Sequence, residues 1–134
     1  MSGSDALQGW WKIISFHVEA QGAGDRMNPY GDKPLGSVVF AGDRMAAILS
    51  SSERSDEDPG RFKTTMAYSG PFRVEDGRRL IVEVDAALFA AWIGSQQVRL
   101  FEIDGDTLSL TSDWQTMPMF PGRLARTVMT WRRS

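Results

Sequence analysis

The chain has 134 residues, a formal net charge of -2 and no cysteine. This length predicts one domain, residues 1–134. The slightly acidic balance offers no positive field to phosphates, so no nucleic-acid partner is expected. The lack of thiols excludes disulfides and thiolate catalysis, and a single histidine, His17, excludes a His-rich metal site. We expect no metal and no other cofactor.

The first nine residues lack the basic segment and the apolar run of a signal peptide. No apolar stretch in the sequence is long enough to span a membrane. We therefore expect a cytoplasmic protein without a membrane partner, as a monomer or a homodimer. The hydrophobic fraction of 42% predicts that the chain forms its own core.

In chain order, eight segments have the β-branched and aromatic content of strands and are bounded by turn-forming residues. They are Trp10–Ala20, Ser37–Phe40, Arg44–Ser50, Ser69–Glu75, Arg78–Ala86, Gln96–Ile103, Thr107–Asp113 and Thr127–Arg132. No helical apolar stripe of useful length competes with them. Eight strands joined mostly by short connections predict an all-β fold, an eight-stranded antiparallel up-and-down β-barrel.

Two turns predict which side chains face the interior of this barrel. Asp76-Gly77 favours a two-residue type I′ turn, and Gly105-Asp106 favours a second two-residue turn. With these registers the interior carries the odd positions from Ile81 to Asp85 and from Gln97 to Ile103. It also carries the even positions from Leu108 to Trp114.

The inward positions form a gradient along the barrel axis, from apolar residues at one end to polar residues at the other. The odd positions of the first strand follow it, because they begin with Trp11 and reach Ser15 and His17. The predicted polar end contains Ser15, His17, Tyr68, Glu83, Asp85, Gln97, Arg99, Ser112 and Trp114. Since such a barrel has room for one small ligand, an apolar floor and a polar mouth predict an internal ligand cavity.

Both ends of the chain resemble lipocalins. Gly9-Trp10-Trp11 is similar to the Gly-x-Trp signature, with Trp11 as the floor residue, and Arg132 or Arg133 matches the basic residue that crosses it. More specifically, the chain resembles the bacterial and fungal lipocalin-like domain family. The matching segments, in order, are Gly9–Phe16, Pro34–Gly36, Gly42–Met45, Tyr68–Gly70, Trp92–Gly94, Gln97–Arg99, Gly105–Leu110 and Thr130–Arg132.

The resemblance implies a barrel with an internal cavity, but it does not imply one activity. Similar folds include carriers, and some lipocalin-like barrels act as cyclases, isomerases or decarboxylases. The strand before Leu88 has Val82 and Glu83 where the family pattern often has histidine. No role of those histidines is therefore carried over to this chain.

The leading functional hypothesis is binding of a mostly apolar small molecule that bears one polar or anionic group. Arg99 offers a fork of donors for that group, and Gln97 and Tyr68 would help to orient it. The predicted ligand-binding set also includes Ser15, Ser112 and Trp114. Arg99 and Glu83 could form a buried pair that anchors the polar group of the ligand. The alternative is a cross-strand salt bridge between them on the outside of the barrel.

The rival hypothesis is a cofactor-free lyase, isomerase or cyclase that acts on a carbonyl compound. His17 would be its general acid or base, because it is the only side chain with a suitable ordinary pKa. Glu83 or Asp85 would orient the imidazole, which makes these three residues the catalytic candidates. His17 could equally be a surface histidine, and the protein could be an interaction module with a filled barrel.

Overall fold

The computed structural model describes residues 3–22, 24–52, 65–117 and 120–134. These residues form a short helix, α1 (Gly3–Leu7), a 3-10 turn (Ala90–Trp92) and a set of strands. The strands are β1 (Gly9–Ala20), β2 (Arg26–Met27), β3 (Leu35–Ala41), β4 (Arg44–Ser50), β5 (Thr65–Glu75), β6 (Arg79–Glu83), β7 (Ala86–Ala87), β8 (Gln96–Asp104), β9 (Thr107–Thr111), β10 (Gln115–Thr116) and β11 (Leu124–Arg133).

The longer strands form an antiparallel sheet that closes on itself. Their order around the barrel is β1, β3, β4, β5, β6, β8, β9 and β11, and β11 pairs again with β1. The two-residue strands are additions to this ring, because β2 pairs with β1, β7 with β5 and β10 with β11. The predicted eight-stranded antiparallel β-barrel is confirmed.

One end of the barrel is closed by α1 and the Trp11 side chain. Trp11 is fully buried, and its indole N–H donates to the carbonyl of Leu7 at 2.9 Å. Near the end of β11, the Cζ atom of Arg133 lies 4.0 Å from the centroid of the Trp11 ring. The predicted contact between Trp11 and a basic residue of the last strand is confirmed, and Arg133 makes it.

The turn at Gly105-Asp106 has the predicted register, because Asp104 pairs directly with Thr107 across it. The odd positions of Gln97–Ile103 accordingly face the core or the pocket described below. The even positions of Leu108–Ser112 are buried. The predicted interior faces of β8 and β9 are therefore confirmed.

The turn at Asp76-Gly77 forms as predicted, but one additional residue, Arg78, follows it before the two strands begin to pair. Both turn residues have positive φ, 55° and 70°, and the Arg78 N–H donates to the Glu75 carbonyl at 3.2 Å. The ladder resumes with Glu75 opposite Arg79, which leaves Arg78 as an extra residue in the hairpin. One extra residue exchanges the two faces of the strand that follows.

This exchange reverses the predicted orientation of β6 and of the residues after it. The core side carries Leu80, Val82 and Val84. The register with β8 agrees, since Val82 lies opposite Gln97. The prediction that Ile81, Glu83 and Asp85 face the interior is wrong.

A β-bulge interrupts β1 between Ile13 and Ser15. The core-facing residues of this strand are Trp11, Ile13, Phe16, Val18 and Ala20, so the alternation changes from odd to even positions at the bulge. The predicted inward orientation of Ser15 and His17 is wrong for this reason. A bulge also bends its strand, which suits the curvature of a closed barrel.

The predicted axial gradient is confirmed only in part, because Ser15, His17, Glu83, Asp85 and Trp114 do not face the interior. The largest fully buried side chains near α1 are apolar and include Trp11, Phe40, Leu108 and Trp131. The polar residues Gln97 and Arg99 occupy inward positions at the start of β8, toward the opposite end.

Candidate ligand-binding site

A pocket of about 420 Å³ lies at the end of the barrel opposite α1. Inward-facing side chains of β1, β5, β8 and β11 form its walls, and the β2–β3, β7–β8 and β9–β11 connections form its rim. The lining residues are Phe16, Val18, Pro29, Tyr30, Met66, Phe89, Trp92, Gln97, Arg99, Gln115, Met117, Thr127 and Met129. This volume falls within the roughly 300–1,000 Å³ of small-molecule sites.

Two pairs of aromatic rings line the pocket. Phe16 and Tyr30 meet edge to face with ring centroids 5.1 Å apart, and Phe89 and Trp92 do so at 5.0 Å. Phe16 of the first pair belongs to β1, and both residues of the second pair precede β8. Around the ring, β8 is three strands from β1 in one direction and five in the other. The two pairs therefore belong to different walls of the pocket.

Arg99 is the charged side chain of the pocket lining. Its Nη1 donates to the Val98 carbonyl at 2.8 Å, and its Nη2 donates to Gln97 Oε1 at 2.9 Å. Its Nε is buried and has no hydrogen-bond partner in the described part of the chain. None of the ion pairs among the described residues includes Arg99. Arg99 is half-buried, and a guanidinium in such a position without a carboxylate partner among the described residues can accept one from a ligand.

Thr127 supplies a second unsatisfied polar atom in the same wall. Its Oγ1 is buried without a hydrogen-bond partner among the described residues. Its backbone is fixed to Ser112, because the Thr127 N–H donates to Ser112 Oγ at 2.9 Å and the Ser112 N–H donates to the Thr127 carbonyl at 3.0 Å. Thr127 thus lines the pocket from a backbone held by the ladder, and its unsatisfied hydroxyl is buried in the wall.

Tyr68 points inward beside the pocket but is not one of its lining residues. Its ring packs edge to face on Trp92, with centroids 5.9 Å apart, and only 5% of the residue is exposed. Burial raises the pKa of Tyr68, and the nearby positive charge of Arg99 lowers it by a smaller amount. The phenol therefore stays protonated at neutral pH, and its ring supports Trp92.

His17 lies on the outside of the barrel, in what we call the outer cluster: His17, Glu19, Arg26, Arg126 and Trp114. Glu19 accepts a hydrogen bond from Arg126 Nε at 2.6 Å and lies 3.7 Å from His17 Nε2. The Arg126 guanidinium in turn covers the Trp114 ring at 4.4 Å. Burial, followed by the charge of Arg26, holds the pKa of His17 below its ordinary value.

Glu83 and Asp85 are also on the outside, and each has its own partners. Glu83 accepts hydrogen bonds from Arg73 at 2.9 Å and from Gln96 at 2.7 Å. Asp85 pairs with Arg44. The structure therefore does not bring His17 together with either carboxylate, and the described residues do not assemble the acid–base group of the enzyme hypothesis.

The predicted ligand-binding residues separate into three groups. Gln97 and Arg99 line the pocket, and Tyr68 lies directly beside it. Ser112 is inward, but its hydroxyl is used by the backbone of Asp113 and Thr127. Ser15, on the outer side of the bulge, and Trp114, under Arg126, are not lining residues.

Several lining residues were not in the predicted set, and most of them are apolar. Pro29, Tyr30, Phe89 and Met117 come from connections, where a strand register gives no orientation. Thr127 could have been found, because it belongs to the inward parity of the last strand together with Met129 and Trp131.

An ion pair joins two segments that lead to the rim. Arg123, before β11, contacts Asp25, before β2, with 2.8 Å between Nη2 and Oδ2.

In the described ranges, no group of three or more acidic or histidine side chains is placed to hold a metal ion. No helix among these residues is long and apolar enough to cross a membrane.

Comparisons with known proteins agree with the fold. A crystal structure of an uncharacterized protein from Bacteroides eggerthii is similar with a TM-score of 0.50 at 10% identity, covering 96% of this chain and 99% of that chain. The 4'-hydroxy-3'-methoxypropiophenone carrier protein ppsC of Aspergillus oryzae is 36% identical over 75 residues. That match spans 51% of this chain and 66% of the fungal protein. The family model of the lipocalin-like domain matches residues 8–134, so the chain belongs to the lipocalin-like domain family.

Proposed function

We propose that this protein binds a mostly apolar small molecule in the pocket, and that Arg99, with Gln97, orients a polar or anionic group of that molecule. The observation that carries the proposal is the Arg99 guanidinium in the pocket lining: among the described residues it has no acidic partner and its Nε has no acceptor, in a wall rich in aromatic and methionine side chains. Buried polar groups of folded proteins are nearly always hydrogen-bonded. A ligand acceptor would satisfy this one.

The fungal relative supports a carrier role. It is a carrier of 4'-hydroxy-3'-methoxypropiophenone, an aromatic ketone with a hydroxyl and a methoxy group. Such a molecule combines an apolar ring with hydrogen-bond acceptors, as the pocket requires. Because only 66% of that protein is matched, its ligand serves here as a probe of the pocket.

The test is calorimetric titration of the purified protein with this propiophenone and with anilinonaphthalene sulfonate. We expect both probes to bind, and we expect Arg99→Met to weaken binding by about 1–3 kcal/mol through loss of a charged hydrogen bond. Arg132→Met is the matched control, because Arg132 is exposed on the same barrel. Binding of neither probe, or equal loss in the two variants, would refute the proposal.

A further inference from the structure

We infer that the ligand is a small aromatic carboxylic acid, bound as its anion, with its ring between the two aromatic pairs and its carboxylate at Arg99 and Thr127. This inference rests on the proposed binding function and makes the ligand class specific. It depends on three features: a guanidinium without a carboxylate partner among the described residues, two donors at one level of the barrel and the aromatic walls.

The first feature is the charge of the pocket. In the described part of the chain, Arg99 donates hydrogen bonds only to neutral acceptors, a backbone carbonyl and the Gln97 amide oxygen. The nearby carboxylates Glu83 and Asp85 face the other side of the sheet and pair with Arg73 and Arg44. A ligand that brings its own negative charge gains a charge-assisted bond that a neutral ligand does not make.

The second feature is that Arg99 and Thr127 lie at the same level of the barrel. Thr127 is opposite Val18 on one side, and its backbone is bonded to Ser112 on the other. Leu100 pairs with Thr111, and the next position along the same antiparallel ladder brings Arg99 opposite Ser112. Arg99 and Thr127 lie two strands apart in this row, with roughly 10 Å between their backbones. We assign a guanidinium N–H of the long Arg99 side chain and the Thr127 hydroxyl to the bound carboxylate.

The third feature is the shape and chemistry of the remaining walls. Aromatic pairs prefer edge-to-face or offset contacts, so a flat ring between Phe16–Tyr30 and Phe89–Trp92 would find partners on both sides. The methionines Met66, Met117 and Met129 add polarisable sulfur, which also contacts ring edges favourably. A volume of about 420 Å³ suits a compact ligand of this kind.

The experiment uses three matched probes, which are hydrocinnamate, its primary amide and its cyclohexyl analogue. The amide removes the charge, and the cyclohexyl compound removes only the aromaticity. Affinities are measured by calorimetry for the whole chain. We expect hydrocinnamate to bind at least about tenfold more tightly than the amide, as a charged hydrogen bond requires. It should bind roughly two- to tenfold more tightly than the cyclohexyl analogue.

Variants at three residues assign these preferences. Arg99→Met should abolish the preference for the acid over the amide, and Arg99→Gln provides a second, polar replacement should the first fail to fold. Thr127→Val, which keeps the side-chain shape, should reduce the same preference. Trp92→Leu should reduce the preference for the aromatic ring. Arg132→Met and Thr111→Val, on the outside of the barrel, are the matched controls and should keep both preferences.

The outcomes separate this inference from the proposed function. Equal binding of acid and amide, or an acid preference that survives in both Arg99 variants, overturns the inference. If none of the three probes binds while the propiophenone does, the inference is wrong and the proposed function stands. If the propiophenone and anilinonaphthalene sulfonate fail as well, the proposed function itself is wrong.

Discussion

Arg133 covers the ring of Trp11 and at the same time donates two hydrogen bonds beyond it, from Nη1 to the Gln8 carbonyl at 2.9 Å and from Nη2 to the Ala6 carbonyl at 3.0 Å. One side chain of the last strand thus binds the residues at the end of α1 and the start of β1. Charged donors satisfy helix-end carbonyls well, so this contact fixes the closed end of the barrel.

We expect Trp11→Ala to lower the free energy of unfolding by ~3–5 kcal/mol, as for other large core truncations. Arg133→Met should cost ~1.5–3 kcal/mol through loss of charged hydrogen bonds. Arg132→Met, at an exposed neighbouring position, should stay within about 0.5 kcal/mol of the wild type. Urea denaturation measures all three, and equal costs for the two arginine variants would contradict the assigned role of Arg133.

Gly70→Ala should be strongly destabilising, because the added Cβ would lie 1.9 Å from the carbonyl oxygen of Glu83. The clashing atom belongs to the backbone of a neighbouring segment, which cannot relieve the clash by a rotamer change. Gly94→Ala is the control, since Gly94 has a φ of +87° and open space around it. It should cost only the ~1–2 kcal/mol of a left-handed residue with a Cβ. Thermal unfolding compares the two, and a smaller loss at Gly70 would show that the strands can separate there.

In the ligand-free protein, we expect Arg99→Met to leave the free energy of unfolding unchanged within about 0.5 kcal/mol or to raise it. The reason is that the variant removes a half-buried charge that lacks a counter-ion among the described residues and fills the same space with an apolar chain. Urea denaturation without ligand provides the measurement. A marked loss of stability would mean that Arg99 is a structural residue of the barrel.

His17 should make the stability of the protein depend on pH. Burial and Arg26 lower its pKa in the folded state, so the unfolded chain takes up the proton at a higher pH than the folded one. The stabilisation is complete above the ordinary histidine pKa and is lost as the pH falls through the lowered one. His17→Gln should therefore flatten the decline of the free energy of unfolding from neutral toward mildly acidic pH.

Urea denaturation of both proteins across this pH range tests the prediction. The carboxylates contribute in both proteins, so the difference between the two curves isolates His17. Parallel curves would contradict the lowered pKa.

The fold could be predicted from the sequence because most turns are short and the strands have clear boundaries. Gly105-Asp106 closes its hairpin with no extra residue, so the faces of β8 and β9 follow directly. At Asp76-Gly77 the turn type was equally readable, but the insertion of Arg78 was not. A single residue outside the turn then decides which face of β6 is buried.

The site could be predicted only in part, for two physical reasons. In β1 the bulge lies at Ile13-Ile14, and beyond it the apolar residues occupy even positions and the polar residues odd ones. The prediction extended the odd parity of Trp11 and Ile13 past this change, so His17 was assigned to the wrong face. The rim residues Tyr30 and Phe89 belong to connections, where orientation comes from tertiary contacts. Arg99 was predictable because its strand has an uninterrupted alternation from a correctly identified turn.

Strand β1 pairs with two different strands along the same side, and this has a kinetic consequence. Its first residues, Gly9–Lys12, pair with β3, whereas further on its partner on that side is the two-residue strand β2. At the level of the pocket, the segment that carries Pro29 and Tyr30 therefore covers the wall between β1 and β3. Among the described residues, the pairing of β2 with β1 and the packing of the buried Tyr30 on Phe16 hold this segment. We expect the exchange of a molecule through this side of the pocket to be limited by that packing rather than by a continuous ladder of backbone bonds.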